Sequence, residues 1–183
     1  MAGPPKRLKV YLAGPDVFLP DAEAVLAAKC VVLDAAGFIG LSPLAGPAPA
    51  DAFGIFGKCE AAMDRADIAL ANMTPFRGAG MDAGTAYEVG YMRAQGKRTF
   101  GYSNVAGSYR ARVADAEAGP AGLIDGHGRS VEDFGLPENL MLAGAAQASG
   151  LPIFTPAATA ADPDRDLATF KQAVGAIRAL LSS

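Results

Sequence analysis

Short apolar runs alternate with longer segments of helical pattern along this chain of 183 residues. The β-rich runs lie at residues 8–13, 38–41, 67–73 and 98–102, with a last short run at 153–154. Helical patterns are expected at about 21–36, 55–65, 137–149 and 162–181, and within the stretch GMDAGTAYEVGYM at 80–92. This alternation predicts an α/β fold in which a parallel sheet has helices on both faces. Because this length fits one full core better than two small ones, we expect a single domain over residues 1–183.

The composition excludes several classes of function. The chain is 51% hydrophobic and 19% charged, which is typical of a globular protein, and its net charge of −3 gives no basic surface for a nucleic-acid polymer. Cys30 and Cys59 cannot form a disulfide framework. The longest apolar region, 25–41, is interrupted by Lys29 and Asp34 and is too short for a membrane span. Since the amino-terminal sequence also lacks a signal-peptide pattern, we expect a cytoplasmic protein that does not bind membranes.

Three loops follow predicted strands, with the sequences GPDVF, TPFRGAGMD and YSN. In parallel sheets the ligand site lies at the carboxyl ends of the strands, so we expect these loops to form one cleft. The glycines of GAGMDAG are spaced one residue too widely for a dinucleotide fingerprint, and no P-loop is present. A phosphate group bound to the amides at the following helix start remains an option. Residues 103–135 are glycine-rich with little periodicity, which indicates a long loop at the active site.

A carboxylate lies on the apolar side of the helix predicted from GMDAGTAYEVGYM. The residues one helical turn from Glu88 carry no charge, so no local Lys or Arg is placed to pair with it. A buried carboxylate without a partner is costly, and such groups are usually retained for chemistry or satisfied by a residue distant in sequence. Glu88 is therefore a candidate catalytic residue.

Asp82 lies six residues before Glu88 and has two interpretations. It is well placed to be the N-cap of the helix. If it caps the helix, its carboxyl group also lies at the same cleft as that of Glu88, about a turn and a half away. Two carboxyl groups in unequal environments can act as nucleophile and acid, as in cleavage of a glycosidic bond with retention of configuration.

Three aromatic residues and the histidine are further candidates for a role at the cleft. Tyr11 lies within the first strand, either as a core residue or as a hydroxyl directed at a buried carboxylate. Phe18 and Phe76 follow strand ends, where stacking on a flat base would explain them. His127 is expected to be a solvated loop residue, and no cluster of His, Cys and Asp has the spacing of a metal site.

Four motifs, taken in order, resemble the nucleoside 2-deoxyribosyltransferase family. They are VYLAGPDVF, ADIALANMTPFRG, DAGTAYEVGYMRAQGK and ENLML. The resemblance implies a flavodoxin-like (Rossmann-like) three-layer sandwich with a central, mostly parallel sheet. It also implies a pentosyltransferase of nucleotide salvage that moves a 2′-deoxyribosyl group from a 2′-deoxynucleoside to a free nucleobase. No metal or organic cofactor is required by this chemistry.

The resemblance also assigns roles to residues of this chain. It implies that Glu88 is the nucleophile that bonds to C1′, that Asp82 contacts the base and relays its proton, and that Tyr11 orients Glu88. Asn139 and Met141 match an element that reaches into a neighbouring subunit's site, which implies a homo-oligomer, at least a dimer, with shared active sites. The residues expected to bind substrate are Gly14, Asp16, Phe18, Phe76, Gly84, Asn139 and Met141.

The chain departs from the family pattern at Cys59, near a position where some members carry an acid that helps to recognise the base. Two alternatives to base exchange stay open. One is an N-glycosidase, in which water resolves the intermediate and the substrate is a nucleoside or its 5′-monophosphate. Asn139 favours a free 5′-hydroxyl group, whereas Arg77 and Ser103 are available to a phosphate. The other is a nucleotide-binding protein without turnover, because a fold does not fix a function.

Overall fold

The computed structural model describes residues 6–120 and 122–182. Residues 1–5, Ala121 and Ser183, which the single-domain prediction includes, lie outside the described residues. The strands are β1 (Lys9–Ala13), β2 (Ile39–Leu41), β3 (Ile68–Asn72), β4 (Arg98–Tyr102), β5 (Glu117–Gly119) and β6 (Gly122–Ile124). The helices are α1 (Ala22–Ala35), α2 (Ala52–Arg65), α3 (Ala83–Ala94), α4 (Leu140–Gln147) and α5 (Ala168–Ser182). None of the helices within these ranges is long and apolar enough to cross a membrane.

The central sheet has the strand order β2-β1-β3-β4, and all of its neighbouring strands are parallel. Phe154 forms a parallel bridge with Tyr102 and extends the sheet beyond β4. Because β2 and β3 lie on opposite sides of β1, the strand order reverses at the carboxyl ends of β1 and β3, where ligands bind in such sheets. The predicted fold class, a flavodoxin-like α/β sandwich, is confirmed.

Alternating side chains of the strands build a separate core on each face of the sheet. From β1, Val10 and Leu12 pack into the core that contains α1 and α5, whereas Tyr11 and Ala13 pack into the core that contains α2, α3 and α4. This alternation follows from the two-residue period of a strand. It directs the Tyr11 side chain towards the three helices that follow β2, β3 and the long loop.

Several predicted boundaries were wrong because capping side chains set the helix starts. Helix α2 begins three residues earlier than predicted, where Asp51 accepts a hydrogen bond from the Gly54 amide. Helix α4 begins three residues later, after its N-cap Asn139, so Pro137 lies outside it. Helix α5 begins six residues later, after Asp166 accepts a hydrogen bond from its first amide. The predicted loop 103–135 contains a short 3-10 turn and the antiparallel β5–β6 hairpin.

A buried ion pair connects α1 to the turn that leaves β1. The Lys29 ammonium group lies 2.6 Å from Oδ1 of Asp16, and the two side chains are 3% and 4% exposed. Asn72 at the end of β3 donates to the same oxygen at 3.2 Å, and the ammonium group lies over the rings of Tyr102 and Phe170. Asp16 was predicted to bind substrate. The structure instead gives this carboxylate a structural role between three elements.

We predict that Lys29→Met lowers the free energy of unfolding by about 3–5 kcal/mol, because it leaves the buried Asp16 carboxylate without its cation. The double variant Lys29→Met/Asp16→Asn is expected to recover most of this loss, since no buried charge remains. Urea unfolding at pH 7 measures both. Arg165→Met, which breaks a surface ion pair with Asp21, serves as the control and should change stability little. A single variant as stable as the wild type would contradict the assigned role.

Candidate active site

A hydrogen bond between a buried tyrosine and a half-buried carboxylate forms the centre of the candidate site. The Tyr11 hydroxyl donates to Oε1 of Glu88 at 2.5 Å, joining the middle of β1 to the second turn of α3. Burial raises the pKa of Tyr11 well above its ordinary value, and the neighbouring Glu88 carboxylate raises it further. The phenol therefore stays protonated and acts as a donor. Tyr11 is a core residue and its hydroxyl is directed at the Glu88 carboxylate, so the two interpretations drawn from the sequence are compatible.

The environment of Glu88 changes its acidity. Burial raises the pKa of Glu88 to about 7, with a smaller contribution from the Asp82 charge, while the hydrogen bond from Tyr11 acts in the opposite direction. Since the Tyr11 bond uses Oε1, Oε2 is left for a substrate. Glu88 is a poorly solvated carboxylate with one oxygen held in place.

Asp82 is the N-cap of α3 and also a wall of the cavity that Glu88 faces. Its Oδ2 accepts hydrogen bonds from the Thr85 amide at 2.9 Å and from the Thr85 hydroxyl at 3.0 Å. A side chain at Gly84 would place its Cβ 3.0 Å from the same oxygen, so the glycine keeps the cap accessible. Both cap bonds use Oδ2, which leaves Oδ1 for a ligand.

The cavity has a volume of about 270 Å³ and lies at the predicted edge of the sheet. The residues that line it are Gly14, Val17, Phe18, Pro43, Leu44, Ile55, Cys59, Asp82, Gly84, Thr85 and Glu88. Its acids come from α3 and the N-cap of that helix, and the apolar residues come from the turn after β1, the loop after β2 and the start of α2. Among the predicted substrate-binding residues, Gly14, Phe18 and Gly84 lie here.

Cys59 occupies the wall beside the tyrosine. Its thiol lies against the Tyr11 hydroxyl and near Glu88, and burial raises the pKa of Cys59. The group at this point is therefore a neutral thiol rather than an acid. Within the described residues, both cysteines of the chain are free, and no cluster of three His, Cys, Asp or Glu side chains is arranged to hold a metal ion.

Phe18 and Phe76 stack on each other instead of leaving a gap for a base. Their ring centroids are 5.1 Å apart with planes inclined by 15°, and the Arg77 guanidinium lies 4.6 Å from the centre of the Phe76 ring. Arg77 has a left-handed backbone, with φ of 54°. Phe76 and Asp16 line an adjacent cavity of about 270 Å³ on the other side of Phe18. The structure therefore places Phe18, but not Phe76 or Asp16, in the cavity that contains Glu88 and Asp82.

Asn139 and Met141 do not line the cavity that contains Glu88 and Asp82. Oδ1 of Asn139 accepts the Met141 amide at 3.0 Å as the cap of α4, and its Nδ2 donates to Glu132 at 2.7 Å. The Met141 side chain is 73% exposed and borders an apolar cavity of about 540 Å³ between α3 and α4. Met141 thus projects from the surface beside α3, whereas Asn139 is half-buried.

Glu138 is a buried carboxylate that sequence reasoning missed. It accepts backbone hydrogen bonds from Met81 and Asn139. Met81 is 57 residues away in sequence, and no local spacing marks such a contact. His127, as expected, lies in an exposed turn, where its amide donates to Asp125.

Comparisons with known proteins identify a family and a fold for this chain. The family model described as nucleoside 2-deoxyribosyltransferase matches residues 10–141. A 2-deoxyribosyltransferase from Leishmania mexicana is similar in structure, with a TM-score of 0.67 and 28% identity over 92% of this chain and 97% of that chain. An uncharacterised protein of Schizosaccharomyces pombe is 32% identical over an alignment of length 172, which covers 81% of this chain and 82% of the relative. A conserved protein from Enterococcus faecalis, at 18% identity and a TM-score of 0.55 over 94% and 99% of the two chains, shares the fold.

The acidity of Glu88 leads to a prediction about stability. Its pKa in the folded state, about 7, lies above the ordinary value of 4.5, so the folded protein binds this proton more tightly than the unfolded chain does. The ionised form therefore costs stability, and the cost grows as the pH rises from 4.5 to 7. We expect Glu88→Gln to be more stable than the wild type at pH 8, by up to about 3 kcal/mol, and close to it at pH 4.5.

Urea unfolding of both proteins at the two pH values measures this difference. Glu23→Gln, which alters an exposed acid in the first turn of α1, serves as the control. Its stability relative to the wild type should not increase between pH 4.5 and pH 8. A Glu88→Gln advantage that is equal at both pH values would contradict the raised pKa.

Proposed function

Because the chain belongs to the nucleoside 2-deoxyribosyltransferase family, we propose that it exchanges the nucleobase of 2′-deoxynucleosides through a covalent intermediate on Glu88. The observation that carries this proposal is the Glu88 carboxylate, oriented by Tyr11 and sharing one cavity with Asp82. This arrangement provides a nucleophile, a group that fixes its direction and a second acid to handle a proton.

In the first step, Oε2 of Glu88 forms a bond to C1′ as the bond from C1′ to the base nitrogen breaks. The leaving base takes the electron pair of that bond and a proton from Asp82. The transition state has oxocarbenium character, and the missing 2′-hydroxyl favours it because an electron-withdrawing group is absent next to the cation. Tyr11 holds Oε1, so the attacking oxygen keeps its orientation.

In the second step, a nitrogen of the incoming base attacks C1′ from the face that the first base left. The bond from C1′ to Glu88 breaks, its electrons return to the carboxylate, and the proton of the incoming base passes to Asp82. Two inversions give net retention. If water attacks instead, the product is free deoxyribose, which is the N-glycosidase alternative.

The burial of Glu88 and the apolar lining of the cavity both support transfer. A carboxylate whose pKa is raised to about 7 is more basic, and hence more nucleophilic, than a solvated one. The lining of Val17, Phe18, Leu44 and Ile55 offers flat apolar surface to a base and few hydrogen-bonding partners to water. An incoming base is therefore favoured over water at the second step.

An exchange assay tests the proposal. A 2′-deoxynucleoside is incubated at pH 7.5 with and without a second free base, and the new nucleoside and free deoxyribose are measured by chromatography. We expect the new nucleoside to form only with the second base, faster than hydrolysis, and Glu88→Gln to lower the rate by about 10⁴-fold or more. Glu23→Gln, an exposed acid outside the cavity, is the control expected to keep the wild-type rate.

Other outcomes of this assay identify the alternatives. Free deoxyribose that forms at the same rate with and without the second base would indicate an N-glycosidase. Nucleoside binding without either product would indicate a binding protein, and wild-type activity in Glu88→Gln would rule out the proposed nucleophile.

We further propose that Asn139 and Met141 complete the site of a neighbouring subunit, so that the active unit is at least a homodimer. Both residues lie outside their own subunit's cavity, and Met141 projects from the surface beside an apolar cavity. Symmetric homo-oligomers are also common among soluble enzymes. In such a dimer each pocket contains Glu88 and Asp82 from one chain and Asn139 from the other.

Mixing two inactive variants tests the shared site. We expect hybrids of Glu88→Ala and Asn139→Ala subunits to regain up to one working site in two, because one pocket then contains both intact residues. Hybrids of Glu88→Ala and Asp82→Ala are the matched control and should stay inactive, since those two residues belong to the same pocket. Native mass spectrometry confirms that subunits have exchanged. Confirmed Glu88→Ala/Asn139→Ala hybrids without activity would show that Asn139 serves its own subunit.

A further inference from the structure

Glu138 connects two segments that are far apart in sequence. Its Oε2 accepts a hydrogen bond from the Met81 amide at 3.0 Å, and its Oε1 accepts one from the Asn139 amide at 2.9 Å. The side chain is 3% exposed. Both oxygens of one buried carboxylate are thus bound to backbone donors on either side, which fixes the carboxylate as well as the two segments.

Arg112 reinforces the same connection from the long loop. Its guanidinium group, on a side chain that is 11% exposed, lies 3.5 Å from Oε2 of Glu138. It also donates to the carbonyl oxygens of Ala79 at 2.8 Å and Pro137 at 2.5 Å. The Arg112 guanidinium group therefore links the segment before Met81 to the residue before Glu138. In this way the long loop holds the two segments together.

The two segments carry the polar residues of the proposed chemistry. Met81 directly precedes Asp82, and Asn139 directly follows Glu138. A Cβ atom at Gly80 would lie 3.3 Å from Oε1 of Glu138, so the loop before Asp82 approaches the carboxylate closely. A displacement of this carboxylate would move the entry to α3 and the entry to α4 together.

We propose that Glu138 is a positioning residue that holds Asp82 of one active site and Asn139 of the neighbouring site in a fixed relation. The proposal rests on the proposed function for the roles of Asp82 and Asn139, while the connection itself rests on the hydrogen bonds of Glu138. In this arrangement the loop between β4 and α4 braces both helix starts through Arg112.

Glu132 provides a matched comparison because it holds one of these segments without the other. It accepts hydrogen bonds from the Asn139 side-chain amide at 2.7 Å and from the Leu140 amide at 2.9 Å, both at the start of α4. The hydrogen bonds of Glu132 do not include the loop before Asp82. Glu132 variants should therefore affect the α4 start alone, and Glu138 variants should affect both segments. Asp133→Asn, at an exposed acid between them, controls for loss of charge.

The catalytic test uses two substrates that differ in their need for an acid. One is an ordinary 2′-deoxynucleoside, and the other is a 7-methylpurine 2′-deoxynucleoside, whose base leaves without taking a proton. Asp82→Asn sets the reference, because general-acid help is worth about 10²–10⁴-fold and should be lost for the ordinary substrate alone. Glu138→Gln and Glu138→Ala are expected to lower kcat for the ordinary substrate at least ten times more than for the methylated one. Glu132→Ala and Asp133→Asn should lower kcat equally for both substrates or leave it unchanged.

A second readout does not depend on activity. Backbone hydrogen exchange of the Met81 and Asn139 amides should accelerate by about ten- to a hundredfold in Glu138→Ala, because each amide loses a charged acceptor. In Glu132→Ala the Met81 amide should keep the wild-type rate. The Glu138→Gln variant keeps one acceptor oxygen and covers the case in which the Ala variant does not fold.

The outcomes separate the two proposals. If the wild type neither exchanges nor hydrolyses nucleosides but Glu138→Ala accelerates both amides, the proposed function fails and the connection stands. If the wild type is active and the Glu138 variants lower kcat by the same factor for both substrates, Glu138 does not position Asp82. Unchanged exchange at Met81 in the Glu138 variants would overturn the connection itself.

Discussion

The hydrogen bond from Tyr11 to Glu88 determines which parts of the fold must meet at the site. It requires the middle of β1 to lie beneath the second turn of α3. The sheet order makes this possible because β3, which leads into α3, is the direct neighbour of β1. The β3 residues on that face are Ala69 and Ala71, which are buried in the same core as Val89 of α3. Small side chains there leave space for the helix, and so for the Glu88 carboxylate, close to the sheet.

Two of the proposed functional side chains, Asp82 and Asn139, also begin helices. Each uses one oxygen to accept a backbone amide in the first turn, at 2.9 Å and 3.0 Å. A capping residue has its side chain held in one orientation by the helix itself, so little conformational entropy is left to lose when a ligand binds. The cap and the catalytic interpretation of Asp82 are therefore compatible. Capping therefore reduces the conformational entropy that an acid at a cleft loses when a ligand binds.

The sequence predicted the sheet and its helices because these follow from local periodicity. Of the three loops expected to form one cleft, GPDVF and TPFRGAGMD contribute residues to the cavity, whereas YSN contributes none. The sequence also predicted that Glu88 lies on an inward-facing side of its helix, since its uncharged neighbours lie within one helical turn, and Glu88 does line a cavity. The sequence failed where contacts join distant residues: Lys29 and Asn72 lie 13 and 56 residues from Asp16, Met81 lies 57 residues from Glu138, and no spacing rule connects them. Phe76 was misplaced for a similar reason, because its stacking on Phe18 joins two loops whose approach depends on the sheet order. The start of α5 could have been found from Asp166, which caps it.

Three shielded carboxylates of this protein differ in how their charge is compensated, and the difference indicates their uses. Asp16 has the Lys29 ammonium group at 2.6 Å, and Glu138 has Arg112 at 3.5 Å together with two backbone amides. Within residues 6–120 and 122–182, Glu88 has no Lys, Arg or His within 4.0 Å and accepts from the Tyr11 hydroxyl alone. A cation would stabilise the carboxylate, lower its pKa and weaken it as a nucleophile. A neutral donor orients the group while leaving its charge uncompensated. Asp16 and Glu138 therefore hold structural elements together, whereas the charge of Glu88 is left uncompensated, as the proposed nucleophile requires.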